Sequence, residues 1–506
     1  MGSTKLKLDK KLFFTTVIFT VLMTVLFLVY PDFTKNILLK VQHFLIFKLG
    51  FVFLWAAFLT VCALIVIAFS KIGKIKLGSK DDKPQFSTIV WLGMILTSCT
   101  GASILYWGTV EWSYYFMNRH GQTPFHTIPG SWQAAEWSSS FALFHTGIVA
   151  WSFYAIFAVA IAYIYHVKKR PVLKLSEACT GTLIKSSDSW IGRIIDVCFI
   201  FGIMGGTATS FGFVAPMVTA GICKIFGIEP KFYMEIVLML VWMVLNVYIL
   251  LAGLKKGIEK ISKITMSLFY VFLAFVLIVG PTVFIINNFT SAFGQMLNNF
   301  ISMSMWTDPI KNSGFPQNWT VFFWAWWLVY APTTGIFLAK ISKGRTIRQL
   351  IIGSVIGGSA GCWLIYSILG NFAMNLQLKG IFSVSKLIAA GKNPGEVIAG
   401  VIAHLPFSTI SLIVFVLLAF TYSSTIFNAI SYTLASTTTK KITEDSEPAK
   451  WNRVFWNVLI AAISIAIMTL GGLDSLKVAS VATALPIAII LIFVVMAFFK
   501  NIKNTK

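Results

Sequence analysis

The sequence predicts an all-α protein that crosses a membrane about twelve times, and three observations support this fold class. Of the 506 residues, 57% are hydrophobic and only 12% are charged, whereas soluble domains average about 25% charged residues. The apolar residues form long runs, and a run of about 18 is enough for a spanning helix. The runs do not alternate with a period of two, as the strands of an outer-membrane barrel would.

About twelve segments are long and apolar enough to be spans, numbered 1 to 12 along the chain. They cover residues 12–30, 47–70, 87–107, 139–166, 193–222, 233–253, 262–288, 319–341, 347–372, 407–435, 453–472 and 478–499. The first span lacks a small-residue cleavage site, so we expect it to be an anchor rather than a removed signal.

The net charge of +23 does not indicate nucleic-acid binding, because the basic residues cluster in short segments between spans. These segments are the amino terminus (Lys5 to Lys11), Lys71–Lys83, Lys168–Lys174, Lys255–Lys263, Lys340–Arg348, Lys440–Arg453 and Lys500–Lys506. They all fall on one side of the predicted membrane. The positive-inside rule therefore predicts cytoplasmic termini in the cell membrane, with anionic lipids as partners.

Two spans contain residues that disfavour a regular helix. Span 3 carries seven small or polar residues over Thr97–Ser103, and span 8 contains Ala-Pro-Thr-Thr-Gly over Ala331–Gly335. Irregular backbone at membrane depth survives only where protein or a cavity surrounds it. Breaks five spans apart predict an inverted repeat of spans 3–7 and 8–12, with a binding site at the midplane. The alternative is two kinked helices that merely pack together.

This repeat divides the chain into four parts. Residues 1–86 form a tail and two additional spans, and residues 87–288 form the first repeat. Residues 289–318 form an extracellular amphipathic helix and loop, and residues 319–506 form the second repeat with a short cytoplasmic tail. The chain has only six histidines and no catalytic motif, so we do not expect an enzyme. A channel is a remoter alternative, because no repeated filter or charged ring is present.

Span 8 also carries an unusual number of aromatic residues. At about 100° per residue, one helix face holds Trp326, Trp327, Tyr330 and Thr334, with Trp319 near that face. Trp324 points to the opposite side. Aromatic faces attract quaternary ammonium groups, at roughly 0.5–2 kcal/mol per ring. A cation site and an aromatic packing seam are both compatible with this spacing.

The sequence from Asn318 to Pro332 (NWTVFFWAWWLVYAP), followed by Ile336–Gln349 (IFLAKISKGRTIRQ), resembles span 8 of the betaine/choline/carnitine transporter family. Further similar segments are Phe86–Trp91, Leu105–Trp112, Gly206–Pro216, Gly253–Ile258, Thr307–Pro309 and Phe315–Trp319. The resemblance covers residues 86–435. It implies a leucine-transporter-type core, a homotrimer, and transport of carnitine, γ-butyrobetaine, glycine betaine or choline.

The resemblance also implies roles for individual residues. Substrate would contact Trp326, Trp327 and Tyr330 in span 8, Trp151 and Tyr154 in span 4, and Tyr114 beyond span 3. Trp319 matches a tryptophan of the outer vestibule, where the carnitine branch has a second, regulatory site. Thr146 stands where the family usually has a tryptophan, and Thr334 stands where the antiporters have a methionine. The missing tryptophan predicts either a wider site or a ligand that carries a bulkier or more polar group.

Two branches of the family differ in how they couple transport. Span 3 (Cys99–Ser103) and Ala215–Thr219 are nearer to the carnitine/γ-butyrobetaine antiporters, which favours exchange of one solute for another. Thr265, however, stands where the antiporters have an arginine that replaces sodium. Na⁺ could instead bind oxygen atoms of Thr421, Ser423, Ser424 and Thr265, as in a sodium-coupled symporter. No other cofactor is expected.

Overall fold

Long apolar helices make up nearly all of the structure, a computed structural model that describes residues 7–98, 101–117, 122–170, 174–182, 184, 186–252, 255–440 and 447–503. Within these residues, ten helices are long and apolar enough to cross a membrane, or eleven if one bent pair counts as a span. The all-α multi-pass prediction is confirmed, although fewer than twelve long helices meet these criteria.

The helices correspond to the predicted spans, whose numbers we keep. Spans 1, 2, 5 and 6 are Lys10–Val29, Gly50–Phe69, Trp190–Phe226 and Phe232–Ala252. Spans 10, 11 and 12 are Ser408–Thr437, Lys450–Thr469 and Leu473–Lys503. Span 9 runs over Ile347–Leu378. Shorter helices outside the spans include Pro31–His43, Val384–Ala389 and Pro394–Ala403.

Span 4 lies at the centre of the bundle. It consists of the helices Trp132–Thr146 and Ile148–Ala162, which are separated by Gly147 with a backbone that is not helical (φ −97°, ψ −134°). Every residue from Val149 to Ala162 is buried. Such a helix, apolar on all sides, is typical of a core position. The second helix of span 4 therefore contacts protein all round, with spans 2, 8, 9 and 12 packed against it.

Span 3 is interrupted, as its small residues predict. The helices Thr88–Ser98 and Ala102–Phe116 stand on either side of Gly101, whose backbone is extended (φ −99°, ψ 159°). The predicted break includes residues 99 and 100, which lie outside the described residues. The second helix is almost wholly buried, so the chain enters the protein interior directly after Gly101, and irregular backbone at membrane depth needs such protein surroundings.

The predicted break in span 8 is wrong. The helix Phe322–Lys340 continues through Ala331–Gly335 with Pro332 inside it. A proline removes one backbone donor, and neighbouring helices tolerate this within a membrane bundle. A Cβ on Gly335 would lie 2.7 Å from Phe157 Cβ of span 4, so this glycine permits close helix packing. The irregular segment lies earlier, where the π-helix Pro316–Val321 precedes span 8.

Span 7 is shorter than predicted. Its helix, Lys255–Val279, ends before Gly280 and Pro281, and the helix Thr282–Asn298 leaves at an angle of 104°. Proline cannot donate the backbone hydrogen bond that would continue the helix. The predicted boundary at residue 288 is therefore too late, and the amphipathic helix begins at Thr282 rather than at 289. The short helix Phe300–Met305 follows it.

Segments from the two ends of the chain meet at one face of the bundle. The backbone N–H of Asp9 donates to Thr438 O at 2.8 Å, and the Asp9 carboxylate pairs with Lys174 Nζ at 3.0 Å. Near the other end, Asn501 Nδ2 donates to Thr180 O at 3.3 Å. One face of the bundle therefore holds four segments: the residues before span 1, those after span 4, those after span 10 and the end of span 12.

Span 9 packs against spans 3 and 4 through its glycines. A Cβ on Gly353 would lie 2.1 Å from the Trp91 ring, and one on Gly358 would lie 2.0 Å from the Trp151 ring. Real side chains cannot approach so closely. The four-residue spacing of Gly353, Gly357 and Gly361 predicts such packing. Gly358 lies outside that pattern, but it is the glycine that leaves room for the Trp151 ring.

Replacing Gly358 by alanine should displace the Trp151 ring and lower the free energy of unfolding by about 1–3 kcal/mol, the usual range for overpacking. The measurement is thermal unfolding in detergent. Gly357→Ala is the matched control, because its new methyl would meet only the Leu92 Cδ2 tip at 3.1 Å, which can rotate away. Equal losses in the two variants would contradict the role given to Gly358.

Candidate functional site

Five aromatic residues from spans 4 and 8 lie together in the bundle interior, and we call them the aromatic box. They are Trp151, Tyr154, Trp326, Trp327 and Tyr330. The ring centroids of Tyr154 and Trp327 are 5.3 Å apart, and those of Trp151 and Trp327 are 6.4 Å apart. Trp326 follows at 6.4 Å from Trp327 and 6.5 Å from Tyr330. The structure thus brings together five of the six aromatic residues that the family resemblance assigns to substrate contact, and the sixth, Tyr114, lies outside this group.

The rings of the box are inclined to one another rather than stacked. The planes of Trp151, Tyr154 and Trp327 meet at 51–77°. Inclined rings can turn several π faces toward one point, which is how aromatic cages hold a cation. All of the box except Tyr330 is at most 5% exposed. A cation held there would be desolvated, the condition in which the attraction is strongest.

The tryptophans of the box also carry polar groups. The indole N–H groups of Trp151, Trp326 and Trp327 are buried and have no acceptor among the described residues. Buried indole N–H groups usually find a partner. These donors could therefore bind the acidic end of a ligand while the ring faces hold its cationic end.

Span 5 forms a further side of the site. The hydroxyls of Ser210 and Tyr330 are 2.9 Å apart, and a Cβ on Gly206 would lie 3.1 Å from the Tyr330 ring. Phe213 meets Trp326 edge to face at 6.4 Å. Ser210 and Phe213 were not among the predicted site residues, and the contacts between spans 5 and 8 identify them.

Trp324 lies away from the box, as its helix angle predicts. Its ring contacts Phe144 at 5.3 Å, His145 at 5.8 Å and Phe153 at 6.4 Å, and it is fully buried. This cluster joins span 8 to the first half of span 4. Trp324 therefore belongs to a packing seam, so the box and the seam occupy different sides of one helix.

A second group of rings, the outer aromatic cluster, adjoins the box. It consists of Trp107, Tyr114, Trp319 and Phe322. Trp319 lies 5.1 Å from Tyr114 and 6.3 Å from Trp107, and Phe322 stacks on Trp326 of the box at 6.1 Å and 10°. Tyr114 lies within the second helix of span 3, rather than beyond it, and its hydroxyl is 3.1 Å from that of Tyr106.

A buried hydrogen-bond network borders the Trp324 seam. The Glu111 carboxylate accepts a hydrogen bond from the Tyr115 hydroxyl at 2.8 Å and lies 3.1 Å from His145 Nδ1. His145 Nε2 is 3.1 Å from the Thr320 hydroxyl, and its ring stacks on Phe323. His145 is thus a buried, hydrogen-bonded structural histidine. The network ties span 3 and span 4 to the start of span 8.

The two threonines that depart from the family pattern have different surroundings. Thr146 ends the first helix of span 4, and its hydroxyl donates to Ala142 O at 2.9 Å. Beside it, a Cβ on Gly147 would meet Trp363 Nε1 at 2.7 Å, and that indole donates to Leu143 O. Trp363 of span 9 therefore covers the interruption after Thr146. Thr334 is half-buried one turn after Tyr330, on the same helix face.

The predicted cation ligands lie on two adjacent helices. In span 10, the hydroxyls of Thr421 and Ser423 donate to Leu417 O and Ala419 O of their own helix, and Ser424 O accepts from Asn428. In span 7, Thr265 is buried. The Tyr422 hydroxyl donates to Met266 Sδ at 3.3 Å, so residues next to Ser423 and Thr265 touch. A hydroxyl that donates to a carbonyl still has lone pairs for a cation.

A buried aromatic site inside a multi-pass helical bundle is typical of a membrane transport protein, because small-ligand sites lie between helices of bundles. The sequence matches the family model described as "BCCT, betaine/carnitine/choline family transporter" over residues 11–506. The chain belongs to this family, whose members are transporters rather than enzymes.

Changing Thr320 to valine should lower the free energy of unfolding by about 1–3 kcal/mol, because His145 Nε2 would lose its partner inside the protein. Thermal unfolding measures the change. Thr290→Val is the matched control, since the Thr290 hydroxyl is exposed and bonds only its own helix. If Thr320→Val lowered the free energy of unfolding by no more than Thr290→Val does, the network would not stabilise the fold.

Proposed function

We propose that this protein is a secondary transporter of quaternary ammonium solutes such as carnitine, γ-butyrobetaine, glycine betaine or choline. The convergence of four buried aromatic rings from spans 4 and 8 is the observation that carries the proposal. A quaternary ammonium group has no N–H to donate, so ring faces are its natural partners. Each desolvated ring contributes roughly 0.5–2 kcal/mol to such binding.

The acidic end of the solute is recognised by the same residues. Carnitine, γ-butyrobetaine and glycine betaine each carry a carboxylate, which accepts hydrogen bonds, whereas choline carries a hydroxyl. The unpartnered indole N–H groups of Trp151, Trp326 and Trp327 favour a solute with a carboxylate. Hydrogen bonds to a charged acceptor contribute about 1.5–3 kcal/mol, more than those to a neutral one. The indole N–H of Trp324 is also unpartnered but lies outside the box, so only the three donors of the box are proposed to favour zwitterions over choline.

Transport occurs by exchange of one solute for another. The support is in the sequence, because the segments Cys99–Ser103 and Ala215–Thr219 resemble those of antiporters. A sodium-coupled symporter is the second candidate. It is favoured by the contact between Tyr422 and Met266, which brings Thr265 and Ser423 onto touching helices.

The protein works in the cell membrane as a homotrimer with both termini in the cytoplasm. Contacts among Asp9, Lys174 and Thr438 support a common side for these segments. Their lysines and arginines attract anionic lipid headgroups, at about 1 kcal/mol for each basic residue near the surface. The homotrimer rests on the family resemblance.

Proteoliposomes preloaded with γ-butyrobetaine should take up labelled carnitine without Na⁺, and empty proteoliposomes should take up little. Internal solute is needed because, in an exchanger, the binding site turns back to face the outside only when it holds a solute molecule. Uptake into empty vesicles that requires a sodium gradient would instead make the protein a symporter. Flux that never saturates with solute would indicate a channel.

The alanine variants of Trp326 and Trp327 should each bind the solute about 5–30-fold more weakly, because each loses about 1–2 kcal/mol of ring–cation attraction. Titration of the purified protein measures the affinity. Trp324→Ala is the control: it should bind nearly normally but unfold more easily, by about 3–5 kcal/mol for a lost buried tryptophan. Three equal losses of affinity, with poor folding in each case, would favour a packing role for the whole cluster.

A further inference from the structure

Lys477 places a buried cation on the outer aromatic cluster. This lysine lies in the first turns of span 12 and is only 2% exposed. Its Nζ is 3.5 Å from the centroid of the Trp319 ring and 5.0 Å from that of Phe322. Both distances are within the range of about 6 Å over which a ring face attracts a cation.

The aromatic faces help to hold this charge in the protein interior. The ammonium group also donates a hydrogen bond to Asn318 O at 3.3 Å. Removing an ammonium from water is unfavourable unless other groups compensate, and the attraction of a ring face for a cation is strongest when both are desolvated. The Trp319 face therefore acts as a cation site whose cation comes from the chain itself.

The same face would suit the ammonium end of a solute. Attraction to a ring quadrupole depends on positive charge and close approach, and it does not require an N–H donor. Tyr114 and Trp107 stand around Trp319, and Phe322 stacks directly on Trp326 of the box. A solute ammonium and Lys477 Nζ could not share this face, because like charges at contact repel and each needs the same space.

We propose that Lys477 is a built-in competitor that closes the outer aromatic cluster to quaternary ammonium solutes. The native protein then has one solute site per chain, the aromatic box. This inference rests on the proposed function for the class of ligand. It also changes the expectation for Trp319, since the regulatory site that the family resemblance implies is occupied here by a side chain of span 12.

The test is the number of γ-butyrobetaine molecules bound per chain in calorimetric titrations of the whole protein. The native protein should bind one. Lys477→Met removes the charge but keeps an unbranched apolar side chain, so a second molecule should bind. Lys477→Arg retains the cation and should still bind one, and the double variant Lys477→Met with Trp319→Ala should return from two to one.

The outcomes separate this inference from the proposed function. The competitor role would be overturned if the native protein bound two molecules. It would also be overturned if the Lys477→Met variant bound only one molecule while keeping normal affinity at the box. No binding to either protein would overturn the proposed function as well. If Lys477→Met does not fold, Lys477→Gln decides: it also removes the charge, so a second molecule should bind, and a folded Lys477→Gln variant that binds only one would refute the proposal.

Discussion

The close approach of span 8 to span 4 is the constraint on which the candidate site depends. At Gly335 the two backbones are so near that a methyl group would meet Phe157 Cβ and the Ala158 amide nitrogen, at 2.7 and 3.0 Å. Lipid gives little hydrophobic drive for helices to associate, so small residues that allow close packing are decisive. This contact brings the aromatic face of span 8 against Trp151 and Tyr154. Gly358 of span 9 then leaves room for the Trp151 ring.

The aromatic residues of span 8 serve three different purposes according to their direction. Trp326 and Trp327 line the box, Trp324 packs against Phe144 and Phe153, and Trp319 carries the Lys477 ammonium. A ring face offers both apolar area and negative potential, so one residue type can act as core or as cation site. The surroundings of each ring decide which property is used.

One buried polar network lies where the helices are irregular. The Glu111–His145 network joins the second helix of span 3 to span 4 and to the π-helix before span 8. Hydrogen bonds between buried polar groups are strong in a low-dielectric interior, so they hold these three segments in one geometry. The network borders the Trp324 seam, so it supports the helix that carries the box without belonging to the box. The network therefore bears on the box only by helping to position span 8.

Sequence alone determined the fold class and indicated the family, and it predicted most of the aromatic residues that the structure brings together in the box. These follow from local properties: the length of apolar runs, the angle of residues around one helix, and motifs that resemble a known family. The structure corrected the break predicted at Ala331–Gly335, because whether a proline and a glycine end a helix depends on the neighbours. It also supplied Ser210, Gly358, Trp363 and Lys477. Their roles arise from contacts between segments far apart in the chain, here between span 12 and the start of span 8. A lysine one turn into an apolar span indicates only a charge near the membrane surface. The ring beneath Lys477 is set by tertiary packing, which no local pattern encodes.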